Sequence, residues 1–225
     1  LVKKLGVREV ELGERQVQVS GTVTLEGTLG TTKNPQGVVI FAHGSGSSRH
    51  SPRNRYVAKI LRNSGLVTLL LDLLTADEEA VDIHTMHLRF DIQLLAKRLV
   101  EATDWIEQNP YTQKLPIGYF GASTGAAAAL VAATERSNVI RAVVSRGGRP
   151  DLAGRSLERV KSPTLLIVGG DDLPVIDINR EAFKQLHCEK KLVIVPGATH
   201  LFEESGKLEE VARLAADWFT RYLVK

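Results

Sequence analysis

Short, nearly uninterrupted apolar runs alternate with helical patterns through most of this chain, and that alternation leaves few folds open. Residues 38–42, 67–71, 116–120, 140–145, 164–168 and 191–195 each read as a strand. Runs without polar alternation are what strands buried on both faces require. Between them the spacing predicts helices over 53–63, 86–108, the segment after Ser123, 177–187 and 207–223. In the longest of these Leu88, Ile92, Leu95, Leu99, Ala102 and Ile106 recur on one face. Strands alternating with helices imply a mainly parallel sheet covered on both faces. Right-handed crossovers then bring the C-terminal ends of the strands to one edge, where ligands of such sheets bind. Ahead of this pattern, residues 10–12 and 17–25 alternate in polarity around Gly13-Glu14, the signature of an antiparallel hairpin with its turn there. The acidic stretch 72–85 shows no regular pattern and is expected as a surface loop beside the ligand edge.

A chain of 225 residues with 43% hydrophobic content suits one α/β domain over 1–225, and no linker, repeat or low-complexity tract divides it. The net charge is only +3 and its charges are interspersed, which argues against nucleic acid as a partner. No apolar stretch is long enough for a membrane span, and the first residues run into polar sequence. A cytoplasmic protein is therefore expected. Cys188 is the single cysteine, which excludes an internal disulfide and reads as a partly buried structural thiol. His50, His84, His87 and His187 show no metal-ligand pairing, so neither metal nor cofactor is expected.

One pentapeptide carries chemistry. Gly121-Ala122-Ser123-Thr124-Gly125 follows an expected strand and precedes an alanine-rich helix. This is the strand–turn–helix setting of a G-x-S-x-G nucleophile elbow, where a strained turn lifts the serine hydroxyl above the sheet. Small residues on either side let the helix pack close. A serine hydroxyl needs a base to take its proton, usually a histidine oriented by a carboxylate. Two later strand ends supply such groups: Gly169-Gly170-Asp171-Asp172 and Pro196-Gly197-Ala198-Thr199-His200. The chain order is Ser, Asp, His, with Asp171 and Asp172 both open as the acid.

Together with His43-Gly44-Ser45-Gly46, these segments make the chain resemble the α/β-hydrolases over nearly its whole length. The resemblance is closest to the dienelactone-hydrolase-like branch, which lacks a large cap domain. It implies an eight-stranded, mainly parallel sheet with an N-terminal antiparallel hairpin. It also implies a triad of Ser123 as nucleophile, His200 as base and an Asp that favours Asp172, three residues after Gly169. An oxyanion hole is implied from the backbone N–H groups of Thr124 and Ser45, with His43 shaping the loop. The enzymes that name the branch carry Cys at the elbow, whereas this chain has Ser123.

Arginines gather near the same edge. Arg49, Arg53 and Arg55 follow the oxyanion loop, and Arg146 and Arg149 follow the strand after the elbow helix. Arg53, Arg146 and Arg149 are candidates for binding an anionic part of a substrate; ion pairs with Asp151, Glu158 or the acids at 77–79 are the alternative. The expected function is a serine esterase for small carboxylic esters or lactones. Thioesters, amides or activated phosphoesters, or a non-catalytic anion-binding module, are the alternatives.

Overall fold

A computed structural model describes residues 13–224. Eight strands form one sheet: β1 (Glu14–Ser20), β2 (Thr24–Gly30), β3 (Gly37–Ala42), β4 (Leu66–Leu71), β5 (Ile117–Ala122), β6 (Ile140–Arg146), β7 (Thr164–Gly169) and β8 (Lys190–Val195). Their spatial order is β1-β2-β4-β3-β5-β6-β7-β8. β1 pairs antiparallel with β2, and β2 with β4. Every later pairing is parallel. β3, β4, β5 and β7 are buried along their whole length, as their continuous apolar sequences require.

Six α-helices cover the sheet: α1 (Pro52–Asn63), α2 (Ala76–Thr85), α3 (Ile92–Gln108), α4 (Thr124–Glu135), α5 (Leu173–Gln185) and α6 (Lys207–Leu223). One core joins α3, α4 and α5 to a face of the sheet through Leu99, Ile106, Ala129, Leu130 and Ala182. The opposite core joins α1 and α6 through Val57, Leu61, Phe41, Phe120, Trp218 and Phe219. α4 is buried through Ala133, and its alanines are what allow that close approach. No separate cap domain stands over the strand ends among the described residues. Between β4 and α3, α2 and a 3-10 turn at Leu88–Phe90 rise beside the edge.

Several local expectations change. The hairpin turn lies at 21–23, where Ser20 pairs with Thr24 and the Gly21 N–H donates to the Val23 carbonyl at 2.9 Å. Gly21 interrupts the alternating run, and a glycine there marks the turn. Residues 10–12 lie outside the described residues. The 72–85 stretch is a helix over most of its length, not a loop. Thr75 and Glu78 close a reciprocal capping box at its start. The long helix begins at Ile92 instead of 86, because Met86 ends α2 in a left-handed conformation and the Asp91 side chain accepts the Leu94 N–H at 3.0 Å. Leu88 therefore belongs to the 3-10 turn. A second 3-10 segment, Pro150–Arg159, was not foreseen and seats Ala153 and Leu157 in the core.

Candidate active site

Ser123 sits between β5 and α4 with φ 51° and ψ −123°, a backbone region that costs energy for any residue with a side chain. The strain is held from three sides. The Ser123 N–H donates to the Arg146 carbonyl at 3.2 Å, and the Ser123 carbonyl accepts from Arg149 at 3.0 Å and Ala126 at 3.1 Å. The flanking glycines are sterically required. A Cβ on Gly121 would lie 2.4 Å from the Ala126 Cα, and one on Gly125 would lie 2.3 Å from the Ala42 carbonyl oxygen.

His200 and Asp172, 28 residues apart, meet through Nδ1 and Oδ2 at 2.7 Å. Their two loops are laced together first. The Gly170 N–H donates to the Val195 carbonyl at 2.8 Å and the Asp171 N–H to the Ala198 carbonyl at 3.0 Å. Gly169 permits this, since a Cβ there would lie 2.4 Å from the Ala198 oxygen. Asp171 is thus tied by its backbone while its side chain is exposed; Asp172 turns inward. The Asp172 carboxylate accepts from Nδ1 and leaves Nε2 free to act on a neighbour. Among the described residues no hydrogen bond joins His200 to the Ser123 hydroxyl.

Sequence reasoning missed the supports of this histidine. Glu204 accepts from the Thr199 N–H at 3.2 Å and from the Thr199 hydroxyl at 2.5 Å, and these bonds hold its carboxyl below the usual range. Phe202 adopts φ 56° and is fully buried, anchoring the loop in the α1/α6 core. Gly147 runs along His200: a Cβ there would lie 3.2 Å from the His200 carbonyl oxygen and in ordinary contact, 3.5 Å, with the ring. These contacts are set by tertiary closure and have no local signature. The capping box of α2, by contrast, has a local signature, Thr75-x-x-Glu78, which the reading of 72–85 as a loop passed over.

The loop after β3 passes beside the nucleophile: a Cβ on Gly44 would lie 2.9 Å from the Ser123 Cβ. The two N–H groups expected to face an oxyanion differ. That of Thr124 makes no hydrogen bond among the described residues, as an open donor at a helix start should. That of Ser45 donates to the Thr124 hydroxyl at 2.9 Å. His43 shapes this loop from within. Its Nδ1 contacts the Gly44 carbonyl at 2.9 Å and its Nε2 accepts the Leu73 N–H at 3.2 Å, which assigns the neutral Nδ1–H tautomer. Burial pushes its pKa below 6.5. A cleft lined by His43, Ser45, Leu74, Arg89 and Thr124 opens between this loop and the α2 excursion.

The arginines divide. Arg49 is paired with Asp72 and Arg55 with Glu14. Arg149 forms a two-point fork with Asp151 at 2.9 and 2.7 Å, which raises its pKa. Arg53 meets Glu203 at 2.8 Å. Arg146 is buried and meets no acid among the described residues. Cys188 lies just past α5, half-buried against the Thr164 hydroxyl, and burial raises its thiol pKa. No three His, Cys, Asp or Glu side chains converge as metal ligands among the described residues, and no helix there is long and apolar enough to cross a membrane.

Comparison with known proteins agrees with this architecture. The sequence model of the dienelactone hydrolase family matches residues 25–223. A crystal structure of dienelactone hydrolase from Anabaena variabilis superposes with a TM-score of 0.92 at 62% identity, covering 93% of this chain and 98% of that one. An α/β serine hydrolase without a lid from Xanthomonas campestris superposes with a TM-score of 0.75 at 20% identity, over 95% of this chain and 97% of that one, a likeness of fold alone. Two proteins from Mycobacterium tuberculosis strains, provisionally named phosphoribosyl transferases, are 56% identical over 213 residues. That alignment takes in 94% of this chain and 47% of theirs, so the chain spans about half the length of those relatives.

Proposed function

The chain belongs to the dienelactone hydrolase family, and we propose that within it the protein is a serine hydrolase of small carboxylic esters or lactones, acting through an acyl-enzyme. The observation that carries this reading is the 2.7 Å contact between His200 Nδ1 and Asp172 beside a serine held at φ 51°. In the proposed reaction the Ser123 oxygen attacks the acyl carbon as its proton passes to His200 Nε2. The tetrahedral oxyanion takes the Thr124 N–H and draws the Ser45 N–H away from the Thr124 hydroxyl. Collapse expels the alcohol, which leaves with the proton from His200, and water repeats the sequence to release the acid. Asp172 holds the ring and offsets its charge. The lack of a separate cap over the strand ends among the described residues supports an open pocket and a preference for short acyl groups, and a lone thiol suits a cytoplasmic setting.

A second reading, a non-catalytic binding module, is favoured by the resting geometry, in which Ser123 is not bonded to His200 and the Ser45 N–H is engaged internally. The transferase name of the mycobacterial relatives belongs to chains about twice this length, and nothing in this chain's site favours phosphoribosyl transfer. Release of 4-nitrophenol from its acetate and butyrate esters separates the readings. The native protein is expected to turn these over, and Ser123→Ala to fall by a factor on the order of 10³ or more. Equal background in both proteins would overturn the esterase reading.

A further inference from the structure

We propose that Asn179 is a positioning residue for the triad. Through the Gly148 carbonyl it fixes the segment 146–149, which clamps Ser123 and borders His200, and ties that segment to the helix that begins after Asp172. Its consequence for catalysis rests on the serine-hydrolase reading above; the clamp itself does not.

The buried face of α5 consists of Val175, Ile176, Asn179 and Ala182, and Asn179 is fully buried. An asparagine there is a weak helix former and takes an amide out of water. An aliphatic side chain would avoid both penalties. Asn179 follows Asp172, the N-cap of α5, by about two turns of helix, so the two lie on one side of it.

The amide is committed. Its Nδ2 group donates to the Gly148 carbonyl at 3.0 Å and to the Val175 carbonyl at 2.8 Å. Two carbonyl oxygens at that atom require the nitrogen there, which assigns the orientation of the amide. Oδ1 is sealed from solvent with no hydrogen-bond partner. Asn179 thus leaves one buried acceptor orphaned while supplying two donors. One donor serves its own helix. The other crosses to the loop after β6.

That loop is a clamp made of two peptide units. A peptide unit is planar, so its carbonyl and its N–H turn together. In the unit between Arg146 and Gly147, the carbonyl accepts from the Ser123 N–H at 3.2 Å and the N–H donates to the Ile167 carbonyl of β7 at 2.8 Å. In the unit between Gly148 and Arg149, the N–H donates to the Ser123 carbonyl at 3.0 Å and the carbonyl accepts from Asn179. Each unit therefore grips the strained serine at one end and an anchor at the other. The first anchor is a strand; the second is this one side chain. Gly147, at φ 50°, and Gly148 are the most permissive of residues, so the loop has little stiffness of its own. Gly148 is also pressed against the start of α4, where a Cβ on it would lie 2.7 Å from the Ala126 Cβ. Among the described residues, Asn179 is the only side chain hydrogen-bonded to the backbone of 146–149. Without it the Gly148 carbonyl is a buried acceptor lacking its partner, and relief by rotation of that peptide withdraws the Arg149 N–H from Ser123.

Asn179→Ala removes both donors. Asn179→Ser keeps a hydroxyl for the carbonyl four residues back but is too short to serve Gly148 as well. In both, kcat/KM for 4-nitrophenyl acetate is expected to fall by roughly 10–100-fold, the scale of a small misplacement of catalytic groups. Native-state hydrogen exchange reads the clamp without turnover: the Ser123 and Arg149 amides should exchange at least about 10-fold faster than in the native protein, beyond any change shared by the other core amides. A role confined to stability would speed the core amides together and leave the rate of the folded enzyme alone. Ile106→Ala, in the last turn of α3 and fully buried, supplies that comparison and should keep native kcat/KM. The proposal is overturned if kcat/KM in Asn179→Ala stays within about twofold of native, if Ile106→Ala loses as much, or if the Ser123 and Arg149 amides speed up no more than the rest of the core. If the native protein does not hydrolyse the ester, the serine-hydrolase reading has failed and exchange alone decides the clamp. Should Asn179→Ala fail to fold, Asn179→Ser takes its place in both measurements, with the same refuting results.

Discussion

Replacing Gly125 with alanine places a methyl group where two backbone oxygens already stand. Its Cβ would lie 2.3 Å from the Ala42 oxygen and 2.4 Å from the His43 oxygen, whereas ordinary contact begins near 3.4 Å. The shortfall is therefore about 1 Å. The Ala42 oxygen cannot yield easily, because β3 is paired on both sides, with β4 and with β5. The helix and its elbow must retreat instead, or the loop carrying Ser45 must bend. Helix propensity acts in the opposite direction, with alanine better than glycine by about 0.5–1 kcal/mol in a helix. Overpacking a dense core costs about 1–3 kcal/mol, so the clash is expected to win. The consequence for activity is larger. A displacement of about 1 Å between nucleophile and oxyanion donors corresponds to roughly 10²-fold in rate. Urea denaturation followed by circular dichroism, alongside 4-nitrophenyl acetate hydrolysis, measures both effects. A Gly125→Ala protein as stable as the native one and active within about twofold of it would refute the steric reasoning.

Other expectations follow from the same geometry. Asp172→Asn should keep the fold but remove the charge opposite His200, lowering kcat by a factor on the order of 10³ or more, while the exposed Asp171→Asn leaves it near native; a larger loss in Asp171→Asn would reverse the assignment of the acid. Burial keeps the folded pKa of His43 below 6.5, so the unfolded chain binds that proton first as pH falls. The stability it contributes is complete above about pH 6.5 and drains below it toward the folded pKa, at up to about 1.4 kcal/mol per pH unit. Denaturation free energies between about pH 7.5 and about pH 5 should therefore fall less steeply in His43→Asn, by about one proton, and parallel curves would contradict this.

Much of this molecule is legible in its sequence, for reasons that are local. Strands buried on both faces must be continuously apolar, so 38–42, 116–120 and 164–168 announce a covered parallel sheet. An elbow between strand and helix needs small neighbours, so Gly121 and Gly125 mark the turn around Ser123. The hairpin turn at 21–23 and the helix in the acidic stretch were misplaced although local signals existed, a glycine within the alternating run and the Thr75–Glu78 capping box. The rest depends on how distant segments close against each other. The residues alone leave Asp171 and Asp172 both open and only the family resemblance favours Asp172; the lacing of the β7 and β8 loops turns one carboxylate out and the other onto His200. The arginines near the elbow are likewise alike in sequence. Only the packed structure gives acids to Arg49, Arg55 and Arg149 and leaves Arg146 buried without one, because an ion pair depends on which surfaces meet and not on spacing along the chain.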